Sequence, residues 1–132
     1  EDTAAFKGIM AVFSMPKSTD EEKALRAEAM QRATLYATQV PLRTMKSAMK
    51  VFDVVEAMAC QGNPNSVSDA GVGALAARSA VMGAWLNVKI NAAGLEDRAA
   101  ADRLLDEAAA LAEACRMREA AVLAVVDEKI GA

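Results

Sequence analysis

The stretch that most constrains this chain is "AGVGALAARSAVMGAWLNVKIN", residues 70–91, a helical pattern with almost no polar side. Its strongly polar members are Arg78, Asn87, Lys89 and Asn91. A helix without a polar face has to be covered, by neighbouring helices or by lipid. The length would suit a membrane span, but those four polar residues and the lack of a second such stretch argue against one. Gly73, Ala77, Ala80, Gly83 and Ala84 are small enough to let other helices come close. The expectation is the buried central helix of an all-α bundle, running from Asp69 to about Asn91.

The flanking sequence fits a bundle. Residues 3–14 carry Ala5, Phe6, Ile9, Met10, Val12 and Phe13 at helical spacing. Pro16 ends that helix, and Ser18 or Thr19 with Glu21 or Glu22 three later forms a capping box for the next. The second helix runs toward Thr38. Pro41 is expected to break or kink the run and to open a third helix reaching about Cys60. Leu42, Met45, Met49, Phe52, Val55 and Met58 make its apolar stripe, while Arg43, Lys46 and Lys50 share another face. Gly94 closes the central helix and Asp97 caps a last one extending to about Lys129, long enough to kink or to pair with a partner helix. No strand pattern competes with these assignments. The alanine-rich composition, with 4% aromatic residues, favours helix for the same reason. The 132 residues suffice for a single domain. So small a multi-helix bundle leaves apolar surface to cover, which predicts a dimer-forming protein.

The inventory also narrows the chemistry. A net charge of −3 with interspersed signs, and no basic stripe, gives no reason to expect nucleic acid or an anionic membrane as partner. There is no histidine, so a structural or catalytic zinc is unexpected, and any acid or base must be a carboxylate, an amine, a thiol or water. Cys60 and Cys115 lie in apolar runs and read as small buried hydrophobes in a reducing cytoplasm. The chain opens on Glu1 inside an apparent helix with no basic region before it. A signal peptide is not expected, and a trimmed, processed or partial polypeptide is.

One passage stands apart: "CQGNPNSVSDAG", residues 60–71, crowds amides and hydroxyls between two apolar runs. Read structurally, Gly62, Asn63, Pro64 and Asn65 make a turn, Ser66 or Ser68 caps the central helix, and Asp69 suits its dipole. Ser68 is the natural N-cap on this reading. At the far end of that helix Gly83, Asn87 and Asn91 share a face at spacings of four. Buried amides need partners, which neighbouring backbone or a bound ligand supplies. Asp69 and Asn91 are 22 positions apart, about 33 Å along a straight helix. A small ligand reaches both only if it is long or if subunits pack head to tail.

The ordered set "MPKSTDEEKALR", "VPL", "GNPNSVSDAGV" and "GAWLNVKIN" resembles the cyclodeaminase/cyclohydrolase family of folate enzymes across nearly the whole chain. Members of that family carry an earlier glycine-rich segment, which residues 1–132 lack. The resemblance implies a dimeric, all-helical fold and a tetrahydrofolate derivative as substrate, with no metal or redox cofactor. It implies hydrolysis of 5,10-methenyltetrahydrofolate to 10-formyltetrahydrofolate, or alternatively loss of ammonia from 5-formiminotetrahydrofolate. "SDAGV" leans toward the cyclohydrolase. Asp69 is the expected catalytic carboxylate. Asn63, Ser68, Asn87 and Asn91 are the expected hydrogen-bonding contacts to substrate. Arg43, Lys46 and Lys50 either hold the glutamate tail or form a solvated basic face. A helical module that assembles or binds folate without turnover is the alternative from another class.

Overall fold

The computed structural model describes residues 1–131. These residues contain no strand. Five helices follow one another: α1 (Asp2–Phe13), α2 (Asp20–Met49), α3 (Val51–Gln61), α4 (Val67–Ala92) and α5 (Arg98–Ile130), with a short 3-10 turn, Pro64–Ser66, before α4. Thr19 and Glu22 form the capping box at the head of α2. The Glu22 N–H donates to Thr19 Oγ1 at 3.1 Å, and the Thr19 N–H donates to the Glu22 carboxylate at 3.2 Å. Asp97 caps α5, its carboxylate accepting from the Ala100 N–H at 2.9 Å.

α4 is the central element and packs against α2, α3 and α5. Ala70, Ala74, Ala77, Val81, Ala84 and Val88 recur at intervals of three and four, and all are buried. Met45, Phe52, Cys115 and Val122 complete that core. Alanine on α4 sets the spacing: small side chains let the larger partners close in. Gly73 does the same for α3, because a β-carbon there would press on Val55 Cγ1 at 2.7 Å. α4 is the buried central helix of the bundle on the side that bears these residues, as expected. Its other side is open in the single chain, with Val72, Leu75, Leu86 and Ile90 respectively 64%, 47%, 61% and 71% exposed.

Pro41 does not end a helix either. It lies inside α2, buried, and the chain breaks at Lys50 instead. A proline removes only one backbone bond from a helix, so a partner for the carbonyl four residues earlier makes it tolerable. At the actual break, Arg118 of α5 reaches the Met49 carbonyl at 3.4 Å and forks onto Glu56 at 2.7 and 2.8 Å and Asp53 at 2.7 Å. That guanidinium holds the Glu56 carboxyl below its ordinary value, and Glu56 and Asp53 in turn raise the pKa of Arg118. A second link, Arg78 to Glu119 at 3.0 Å, joins α4 to α5.

Cys115 is buried, as the sequence suggests, and burial, then the nearby Glu119 carboxylate, pushes its thiol up. Cys60 is exposed, correcting the expectation of two buried cysteines, and both are free. Among the described residues no helix is long and apolar enough to cross a membrane.

Candidate active site

Pro41 has no N–H to give to the carbonyl of Ala37, one turn back in α2. Asn91 of α4 supplies the missing donor: its Nδ2 bonds the Ala37 oxygen at 2.8 Å. Two residues that looked unrelated in sequence therefore satisfy each other. The bond also fixes the Asn91 amide at the wall of a cleft of about 240 Å³ where α1, α2 and α4 meet. Asn87, exposed one turn earlier on the same face of α4, lines the cleft with Asp2, Phe6 and Ile9. A carboxylate and two amides over an apolar floor form a surface suited to a planar ligand edged with donors and acceptors. Asp2 was not singled out from sequence. An acid in the first turn of a helix is commonplace, and nothing local marks this one.

The polar loop lies at the other end of α4. Asn63 Oδ1 accepts from the Asn65 N–H at 3.0 Å, an Asx turn that leads into Pro64–Ser66. Gly62 is required there, because a β-carbon would run into the Met58 carbonyl oxygen. Lys129 of α5 donates to the Ala59 carbonyl at 2.5 Å and the Cys60 carbonyl at 2.7 Å, capping α3 where the loop leaves it. The N-cap position of α4 belongs to Ser66, which makes no side-chain cap, so Ser68 is corrected from cap to exposed second residue of the helix. Asp69, the third residue, is exposed beside the free N–H groups of the first turn, which favour an anion.

Within one chain these groups do not converge. Asp69 precedes Asn87 by 18 residues of continuous helix, about 27 Å. The basic residues divide as well. Arg43 pairs with Glu1 at 3.2 Å and lies over the Tyr36 ring, while Lys46 pairs with Glu107 at 2.5 Å. Lys50 sits exposed at the end of α2. Among the described residues no three of Cys, Asp and Glu come together as a metal site would need.

Residues 1–110 match the family model described as formiminotransferase-cyclodeaminase. The chain belongs to that family. It is 45% identical over 120 residues to the methenyltetrahydrofolate cyclohydrolase of Methylorubrum extorquens, covering 90% of this chain and 58% of that protein. It is 31% identical over 128 residues to the formimidoyltransferase-cyclodeaminase of Gallus gallus, and 28% to that of Mus musculus, with 97% of this chain and 24% of each relative covered. The chain thus spans a little over half of the bacterial relative and about a quarter of the vertebrate ones. The family membership agrees with the motif order in the sequence, and the all-helical bundle agrees with the expected fold class.

Proposed function

We propose that the protein containing this chain is a folate one-carbon enzyme that hydrolyses 5,10-methenyltetrahydrofolate to 10-formyltetrahydrofolate, acting as a homodimer in the cytoplasm. The observation that carries this reading is the 45% identity to a methenyltetrahydrofolate cyclohydrolase over 90% of the chain. In the reaction, water oxygen bonds the cationic methenyl carbon, the carbon–N5 bond breaks, N5 takes a proton, and a second proton leaves to solvent. Asp69 is the carboxylate for this step. It stabilises the amidinium-like cation and orients or deprotonates the water. Asn63, Ser68, Asn87 and Asn91 hydrogen-bond the pterin and amide groups, with Asn91 offering its oxygen, since its nitrogen already serves Ala37. Lys50 meets the glutamate tail directly, whereas Arg43 and Lys46 do so by exchanging Glu1 and Glu107 for tail carboxylates. No bound cofactor or metal takes part.

The matches to formimidoyltransferase-cyclodeaminases favour a second reading, closure of 5-formiminotetrahydrofolate with release of ammonia. Both reactions test together. Full-length protein is incubated with methenyltetrahydrofolate while its near-ultraviolet absorbance is followed, and with the 5-formimino substrate while ammonia is measured. Bleaching without ammonia supports the cyclohydrolase, and the reverse supports the cyclodeaminase. Neither signal would leave a non-catalytic folate-binding or assembly module. Asp69→Asn is expected to lower kcat/KM about a hundredfold, and unchanged turnover removes Asp69 from the mechanism.

A further inference from the structure

The cleft where α1, α2 and α4 meet is rich in acceptors and poor in donors. Asp2 contributes a carboxylate, and Asn91 presents its amide oxygen because its nitrogen is committed to the Ala37 carbonyl. Asn87, exposed one turn earlier on α4, adds a side-chain donor. No lysine or arginine lines the cleft. Glu1, next to Asp2, is taken up by Arg43, whereas among the described residues the Asp2 carboxylate forms no ion pair and accepts no side-chain hydrogen bond. A ligand that satisfies these groups brings donors along one edge and a flat face to lie on Phe6 and Ile9. Phe6 is 62% exposed, so its ring is open to a flat partner.

Charge and size decide which end of a folate that is. The glutamate tail carries carboxylates, which an unpaired Asp2 with no cation beside it repels. The aminobenzoyl ring has no edge of adjacent donors. The tetrahydropterin has one: ring N3–H and the 2-amino group stand side by side, as two N–H groups of a guanidinium do, and a carboxylate takes both in a fork. At about 240 Å³ the cleft is smaller than the roughly 300–1,000 Å³ of sites that enclose a whole drug-sized ligand. It suits the bicyclic ring, with the rest of the molecule outside.

We propose that Asp2 reads the pterin ring and sets the specificity of the cleft for a 2-amino-4-oxo edge. Its carboxylate accepts from ring N3–H and the 2-amino group while the ring lies on Phe6 and Ile9. Asn87 donates to the 4-oxo oxygen beside N3, and the Asn91 oxygen accepts from a remaining ring N–H. The glutamate tail points away from the cleft. The identity of the ring rests on the folate reading above, but not on which of the two reactions is run or which carboxylate handles the water. An acid in the first turn of α1 also suits the helix dipole. That role alone would change stability and leave ligand preference untouched.

The test uses the full-length protein and calorimetric binding of tetrahydrofolate and of its 2-desamino-2-methyl analogue, which lacks the amino donor. Wild type is expected to bind tetrahydrofolate about ten- to a hundredfold more tightly than the analogue, the usual effect of losing a hydrogen bond to a charged group. Asp2→Asn and Asp2→Ala should each weaken tetrahydrofolate by about that factor and shrink the preference to a few-fold. 6-Methyltetrahydropterin, a ring without a tail, should depend on Asp2 in the same way, while p-aminobenzoylglutamate should lose no affinity in either variant. A preference that survives both substitutions, or a loss confined to p-aminobenzoylglutamate, overturns the assignment whatever the variants' stability. Turnover of either folate with no such preference overturns Asp2's role and leaves the enzymatic reading in place. The expected preference in a protein that turns over neither folate sinks the enzymatic reading and leaves Asp2's role standing. No binding of tetrahydrofolate overturns both.

Discussion

Replacing Asn91 by alanine removes the donor that Pro41 makes necessary. The Ala37 carbonyl it serves belongs to a residue only 7% exposed, so water cannot readily replace the 2.8 Å bond. An unsatisfied buried acceptor costs about 1–3 kcal/mol. Alanine's better helix propensity returns roughly half a kilocalorie of that. Asn91→Ala should therefore destabilise by about 1–2 kcal/mol, a loss of roughly 3–8 °C in Tm for a chain of this size. The stronger statement concerns coupling. Pro41→Ala restores a backbone N–H that can close the α2 ladder onto the same carbonyl. In that background Asn91→Ala should cost about 1 kcal/mol less than in wild type. Urea unfolding of all four proteins gives the cycle, followed through the single tryptophan, Trp85, on α4. Protein concentration must be held fixed, because an associating protein's apparent stability depends on it. Equal costs in the two backgrounds would show that Asn91 does not compensate for the proline, and the account of this cleft wall would fall.

Three further outcomes follow from the ion pairs and thiols. Glu56 is held below its ordinary 4.5, chiefly by the Arg118 hydrogen bond. Its stabilisation is therefore full above that pH and disappears as the pH falls through the depressed value. With the Glu56 side chain 39% exposed, Arg118→Met should cost no more than about 1 kcal/mol near pH 7. Comparative urea midpoints should converge as the pH falls through that depressed value and Glu56 takes up its proton. Arg78→Met strips the partner from Glu119, which is 8% exposed, and should cost about 1–3 kcal/mol. Adding Glu119→Gln should recover part of that loss, and no recovery would show that the charge is not what was stranded. A thiol reagent at neutral pH should label Cys60 in the folded protein. Cys115, buried and with its thiol pushed up, should react only after denaturation, as mass spectrometry of the modified peptides would report.

Much of the fold was legible because local chemistry and tertiary packing agree in it. Thr19 with Glu22, Asp97 ahead of α5, and the alanine periodicity of α4 each act over one or two turns, within reach of sequence patterns. Pro41 misled because its local effect is offset by Asn91, 50 positions away, and no window on the chain shows that pairing. Ser68 misled because several residues in "NSVSD" can begin a helix, and the 3-10 turn at Pro64 decides which one does. The apolar character of α4 marked it as the central helix, yet composition does not say which of its sides the other helices of the chain cover. The cleft was half visible. Asn87 and Asn91 were evident from their spacing, whereas Asp2 joins them only once α1 has docked.

Because α4 runs unbroken from Val67 to Ala92, it measures angle as well as length. Exchanging one of its outward residues for another of like size leaves Asp69 and Asn87 on the same meridian. Gaining or losing a single residue between them would swing one by about 100° around the axis. Relatives that keep this bundle should therefore tolerate drift in the outward letters of that interval while admitting no gaps within it, because a gap would also turn the buried alanine face away from its neighbours.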